Sequence, residues 1–313
     1  MQRRGKTAAG TQRWKCTTCN VSAVRQRPDQ KRKQYKLSFI RWLTGVRELS
    51  AVARERGIGR EQLSRRFQQY WYLPAPTSPP LVGSDHVLIL DGIYLSGRGN
   101  ATLIARTITY VRSWDFHERE CFVAWDRFLA RIPAPKAVVC DGQKGLLEAI
   151  KCRWPHTKIQ RCLVHVERFV RSRISMRPKT EAGRALWQLT RSLWDVDTVC
   201  DADNWIESFQ AWEERYADFL KERSYSSETG RWWYTHRTLR AARSHVRNAL
   251  PHLFTFAIVP NTPRTSNHIE GGTNARLKEL IRRHRGLSPE RKRILAAYFL
   301  SSQTEKKPPR DVT

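Results

Sequence analysis

The chain has 313 residues, 40% of them hydrophobic, enough to bury a full core, and its 57 Lys and Arg against 29 Asp and Glu leave a net charge of +28. No stretch approaches the length of apolar residues that a membrane-spanning helix needs, and the opening "MQRRGK" runs into "TAAGTQRWK" rather than an apolar segment, so neither a membrane role nor a secretory leader is expected. Seven cysteines scattered through a long chain argue against a disulfide framework and for a reducing cytoplasm.

Residues 1–71 carry 18 basic and 4 acidic side chains, a net of +14. An excess of this size points to a polyanion, because each phosphate contact releases counterions. Residues 1–28 are polar and basic and contain "CTTC". Cys16 and Cys19 have the spacing of half a four-cysteine zinc ribbon. There is no second such pair, and one pair cannot close a tetrahedral Zn²⁺ site, so the zinc reading stays open. The other five cysteines lie in apolar contexts typical of core positions.

Helical periodicity runs from Leu37 to about Trp71. Within it, "ELSAVARERGIGREQLSRRFQQYW" (48–71) has helix-turn-helix spacing: Ala53 is small where two helices cross, Gly57 allows the tight turn, and Ile58 and Leu63 pack the second helix. Arg60, Glu61, Ser64, Arg65 and Gln68 then face outward, towards a major groove. An ordinary helical hairpin shares this periodicity; the local charge favours DNA. Residues 29–72 therefore read as a helix-turn-helix domain, and "LPAPTSPP", with four prolines in eight residues, opens a linker over 73–84.

Beyond the linker the pattern changes to short β-rich runs: "HVLILDGIYL" (86–95), "ATLIARTIT" and "YVRSW". A helix is expected near 116–130, where Cys121, Phe122, Trp125, Phe128 and Leu129 share one face. The strand "KAVVCD" (136–141), a helix carrying Leu146, Leu147 and Ile150, and the strand "KIQRC" complete an α/β order with a mixed sheet. From 164 to 260 no strand is expected, and this helical region holds six of the twelve tryptophans. Of these, Trp232 and Trp233 either pack in a core or stack on an unpaired base, with core packing the simpler reading. A further helix is expected from Asn267 to Arg283, and a basic tail at 303–313 reads as disordered.

Asp91 interrupts an apolar strand, and a buried carboxylate is costly unless paired, hydrogen-bonded or bound to metal. The run before Asp141 repeats the same form, apolar residues followed by Asp-Gly. If the two strands are neighbours, Asp91 and Asp141 come together, and a divalent cation relieves their repulsion. Alone, Asp141 would read as a helix cap. In "TSNHIEGGTNARLKEL" (265–280), Glu270, Asn274 and Lys278 share one helical face, while Ile269, Thr273, Leu277 and Leu280 form the packing face. Three carboxylates can hold two Mg²⁺ ions for phosphodiester chemistry.

At these motifs the sequence resembles the Mutator-type transposases of bacterial insertion sequences. The likeness is closest over "VVCDGQKGLLEAIKCRWPHTKIQRCLVHVERFV" (138–170), which carries Asp141, a DG-x-K-G turn and Cys162 with His165 in a C-x-x-H arrangement. "LILDGIYL" matches the first-aspartate strand and "TSNHIEGGTNARLKEL" the glutamate helix. The resemblance implies an RNase H-like mixed sheet over 85–165 and 263–302, interrupted by an all-α insertion over 166–262. It implies Asp91, Asp141 and Glu270 as a catalytic triad for two Mg²⁺ or Mn²⁺ ions, with His165 beside them. From residue chemistry alone, Cys162 and His165 read as half a metal site or, more simply, a buried pair.

The implied function is DNA cleavage and strand transfer at element ends, by in-line displacements at phosphorus. Arg276, Lys278, Arg282 and Arg283, with Asn274, would hold the phosphate backbone. The implied partners are double-stranded DNA, at the element's terminal inverted repeats and at the target, and a second copy of the chain, in a bacterial, nucleoid-associated setting. Relatives of this kind carry a complete CxxC…CxxC ribbon, so the single pair here reads as a shortened start. Two other readings remain: a structure-specific nuclease, against which the helix-turn-helix argues, and a domesticated DNA-binding protein, against which the three acids argue.

Overall fold

The computed structural model describes residues 1–24, 28–81, 83–97 and 99–305 and divides into two compact units, 1–74 and 75–313. In the first unit, β1 (Gln2–Lys6), β2 (Gln12–Lys15) and β3 (Ser22–Val24) form an antiparallel sheet, which the sequence reading of 1–28 did not anticipate. Three helices follow: α1 (Pro28–Thr44), α2 (Leu49–Glu55) and α3 (Arg60–Gln68). Gly57 turns the chain between α2 and α3 with φ +63, a left-handed conformation that favours glycine. Phe39, Leu43, Ala53, Leu63 and Phe67 fill the core, with Phe39 edge-on to Phe67 at 5.4 Å and to Trp71 at 5.0 Å.

The second unit is built on a five-stranded mixed sheet. Its strands are β4 (Val87–Tyr94), β5 (Ala101–Arg106), β6 (Val111–His117), β7 (Ala137–Cys140) and β8 (Lys158–Arg161), in the spatial order β6-β5-β4-β7-β8. β4, β5 and β6 form an antiparallel meander, whereas β7 and β8 run parallel to β4. α4 (Phe122–Leu129) and α5 (Lys144–Arg153) cover one face, burying Trp125, Phe128, Leu146 and Ile150 against Leu88, Leu90, Leu103 and Val138. α4 begins later than expected because β6 continues to His117, paired with Ala101; Cys121 stands at the N-cap position without a side-chain cap bond and Phe122 is exposed.

Between sheet and closing helices lies a helical region with its own core: α6 (Leu163–Ile174), α7 (Glu181–Arg191), α8 (Val199–Arg215), α9 (Ala217–Lys221), α10 (Arg237–Ala249) and α11 (Thr255–Ile258). It is not all helix: β9 (Arg223–Tyr225) and β10 (Trp232–Tyr234) form a small hairpin that presents Tyr225, Trp232 and Trp233 to solvent, so the core-packing reading of these two tryptophans fails. The buried Gln160 ties the region to β8, donating to the Leu253 carbonyl at 2.8 Å and accepting from the Phe256 N–H at 3.0 Å.

The expected helix 267–283 divides into a wider π-helical stretch, His268–Asn274, and α12 (Ala275–Arg283). α13 (Pro289–Ser302) then packs on β6. The residues just past α13 are tied down, since the Gln303 carbonyl accepts from the Val111 N–H at 2.8 Å; the rest of the expected tail, from 306 on, lies outside the described residues. No helix among the described residues is long and apolar enough to cross a membrane.

Candidate active site

Asp91 sits on β4, the central strand, and Asp141 is the first residue past β7. The parallel register pairs Ile89 with Val139, which sets Asp91, midway along β4, level with Asp141 just past the carboxyl end of β7. Gly142, at φ +87, turns the chain off the strand, and Asp141 Oδ1 accepts the Gln143 N–H at 2.8 Å while Gln143 Oε1 caps α5 through Leu146. The buried Arg161 crosses over this glycine and donates to the Asp141 carbonyl.

Asp91 Oδ1 accepts the Gly92 N–H, and Oδ2 accepts from the Asn274 side-chain amide at 2.7 Å. Asn274 is thus a buried partner of Asp91 rather than a surface contact for phosphate, and its Oδ1 is buried with no partner of its own. The π-helical stretch explains the difference: it is wider than an α-turn and packs against β4, turning Asn274 inward. Arg106, on β5, anchors this stretch, donating to the His268 carbonyl and, at 2.8 Å, to the Thr273 hydroxyl.

Glu270 accepts hydrogen bonds from two residues and is approached by a third. The Ser266 hydroxyl donates to it at 2.6 Å, while His165 Nδ1 and Arg168 each approach within 3.4 Å. Cys162 accepts the Ser266 N–H, and the ligating atoms of Cys162, His165 and Glu270 all lie within 4.8 Å of one another, the one group of three or more potential metal ligands of this kind among the described residues. Burial pushes the Cys162 thiol up, but hydrogen bonds from His165 and Ser266 outweigh it and hold the thiol below its ordinary value. The same Cys162 contact raises His165.

A fourth carboxylate, absent from the sequence reading, joins these three. Glu120 lies just before α4, where its pKa is raised by burial and by Asp141. Asp91 itself is pushed up to about 7, first by burial and then by the charges of Asp141, Glu120 and Glu270. Like charges around a buried carboxylate are relieved by a divalent cation; the oxygens of these acids do not all lie within 4.8 Å of one another, and the Asn274 Oδ1 is buried and unpartnered among the described residues.

The other predicted residues lie on α3, on α12 and in the N-terminal sheet. Arg60, Arg65 and Gln68 are exposed on α3, with Ser64 half-buried. Arg276 and Lys278 are exposed on α12, where Arg282 and Arg283 each donate to Glu279 at 2.9 Å. Cys16 and Cys19 flank the turn between β2 and β3; N–H groups of Cys19 and Thr18 point at the Cys16 sulfur and lower its pKa to about 7.

Two comparisons place this architecture among known proteins. The sequence model "Transposase, Mutator family" matches residues 86–294, so the chain belongs to the Mutator family of transposases. A probable transposase for an insertion sequence element from Corynebacterium diphtheriae is 25% identical over 125 residues, covering 36% of this chain and 35% of the relative, so the chain matches about a third of that protein's length.

Proposed function

We propose that this chain is the transposase of an insertion sequence, cutting and joining DNA at the ends of its own element. One observation carries the reading: in a Mutator-family chain, the parallel register of β4 and β7 sets the buried Asp91 level with Asp141, near enough to it and to Glu270 that their charges add to burial in raising its pKa to about 7. The strand order β6-β5-β4-β7-β8, with only its first three strands antiparallel, supports an RNase H-like core over 85–165 and 263–302 around the insertion at 166–262.

Asp91, Asp141 and Glu270 would hold two Mg²⁺ or Mn²⁺ ions. When bound, such ions offset the clustered negative charge, favour a deprotonated oxygen nucleophile and stabilise the leaving oxygen. The chain's own residues do the positioning. Asn274 fixes the orientation of Asp91, Ser266 that of Glu270, and Arg106 the stretch that carries both Glu270 and Asn274. His165 stands beside Glu270, and Arg168 at its exposed edge offers a guanidinium to a phosphate near the cut. Arg276, Lys278, Arg282 and Arg283 extend this basic surface along α12. Water attacks the phosphodiester and leaves a 3′-hydroxyl, which then attacks the target strand; both are in-line displacements within one site.

α2 and α3 would form a helix-turn-helix domain over 29–72, with Arg60, Ser64, Arg65 and Gln68 reading the terminal repeats, followed by a linker over 73–84. The exposed Trp232, beneath Arg223 at 4.1 Å, and its neighbour Trp233 support stacking on an unpaired base. Bringing two ends together calls for at least a homodimer. The lowered Cys16 thiol suits a zinc ligand, but the pair still supplies only two ligands.

The test is Mg²⁺- or Mn²⁺-dependent cleavage of DNA carrying the element's own ends. Asp141→Asn is expected to lower the rate on the order of a thousandfold, the loss of several kcal/mol of charge stabilisation. Tight, specific end binding with no cutting by the unaltered chain would instead make it a DNA-binding protein.

A further inference from the structure

Gly92 follows Asp91 in ordinary extended backbone, where any residue is allowed, so its conformation does not call for glycine. Space does. A Cβ at Gly92 would lie 2.5 Å from Cδ and Oε2 of Glu120 and 2.7 Å from Oε1. The carboxylate therefore occupies the volume that a side chain at position 92 would fill, on the face of β4 that Leu88 and Leu90 share under α4 and α5.

Glu120 is held there by contacts to several elements. Its N–H donates to the Tyr94 hydroxyl on β4 at 3.1 Å. Its carbonyl accepts from the Gln143 amide at 3.3 Å, and Gln143 belongs to the turn that also binds Asp141. The Trp125 indole donates to Oε1 at 3.3 Å, leaving Oε2 without a donor among the described residues. A glutamate that only capped α4 would need neither the glycine nor a link to both aspartate-bearing strands. A second observation at Asp91 is Asn274, 4% exposed, bonded to Asp91 through one atom of its amide and unpartnered at Oδ1 among the described residues.

We propose that Glu120 is a fourth acidic ligand of the divalent-metal site, brought to Asp91 and Asp141 through the gap left by Gly92. This rests on the reading of Asp91, Asp141 and Glu270 as that site. It goes beyond it by giving the metal pair a ligand from the sheet's helical face, from a segment outside all three acidic motifs.

The probe is Mn²⁺, its binding to the full chain read from the resonance signal of the free ion, without DNA. Glu120→Gln keeps the shape and the Trp125 bond while removing the charge; Mn²⁺ affinity is expected to fall about tenfold or more. Gly92→Ala keeps all four acids but displaces the carboxylate, and should weaken binding in the same direction. Circular dichroism melts without metal should show Glu120→Gln folded and at least as stable as the unaltered chain, because a like charge has been removed. Unchanged Mn²⁺ affinity in Glu120→Gln, with binding lost in Asp141→Asn, would overturn this proposal and leave the three-acid site standing. Unchanged affinity in Asp141→Asn as well would overturn the site itself.

Discussion

In the helical region charges meet their opposites: Glu213 accepts from Arg243 and lies 3.7 Å from Arg247, and Glu181 binds Arg215 at 2.8 Å. Around Asp91 the arrangement is reversed: the charges of Asp141, Glu120 and Glu270 all bear on it, and Asp141 bears on Glu120 as well. Both regions bury large apolar clusters of similar make-up. The difference lies in what the polar groups are for. Paired charges around a packed core serve the fold, whereas like charges forced together raise the energy of the metal-free state and are relieved by a ligand.

The largest effect that sharpens this contrast is a packing one. Phe209 is fully buried and stacks on Trp205 at 5.6 Å and Trp212 at 6.0 Å. Phe209→Ala should lose about 3–5 kcal/mol in urea unfolding, since the aromatic ladder cannot collapse around the void. A loss within experimental error would mean that the insertion does not depend on this ladder.

How far each region could be read from sequence follows the same division. The apolar runs ending in Asp91 and Asp141 declared themselves because a carboxylate in such a run violates ordinary burial, and their adjacency followed once the strands were neighbours. Glu120 was hidden inside an expected helix over 116–130, yet a signal was present: a glycine in an apolar strand, next to an acid, marks a close approach. α-Helical spacing over 267–283 puts Asn274 on the surface, but that spacing does not hold across the π-helical stretch His268–Asn274. The hairpin of β9 and β10 escaped notice because strands of three residues, rich in Arg, Ser and aromatics, show no alternation to detect.

The second prediction removes one of the repelling acids. Asp91 holds its proton up to about 7 in the fold and releases it near 3.8 in the unfolded chain. Between these values the unfolded chain gives up its proton first, so the metal-free protein loses stability as pH rises from about 4 to about 7. Asp91→Asn keeps an oxygen for Asn274 and removes the charge. Without metal it should be the more stable protein at pH 8, by roughly 3 kcal/mol, less than the full shift implies because solvent and counterions screen part of it. Mg²⁺ should narrow the difference by stabilising only the unaltered chain. Equal melting temperatures at pH 8 would mean that the acids do not oppose folding.

The helical region should respond to pH with the opposite sign, and its effect is the smallest of the three. His245 stacks on Phe169 at 3.9 Å, and its Nε2 is buried without a partner. Burial, with Arg161, His165 and Arg173 nearby, lowers its pKa to about 4 from the ordinary 6.5. The unfolded chain therefore binds a proton that the folded one refuses, and stability falls as pH drops from about 6.5 to about 4. The ring is partly exposed, so screening limits this contribution to roughly 1–2 kcal/mol. His245→Phe keeps an aromatic ring against Phe169 and cannot titrate; it should flatten the acid side of the stability profile while leaving the loss above pH 4 due to Asp91 in place. Combined with Asp91→Asn, it should remove both slopes independently. A double variant whose profile departs from the sum of the two would mean that the insertion and the acidic site are electrostatically coupled, with His165, which acts on both Asp91 and His245, as the residue that links them.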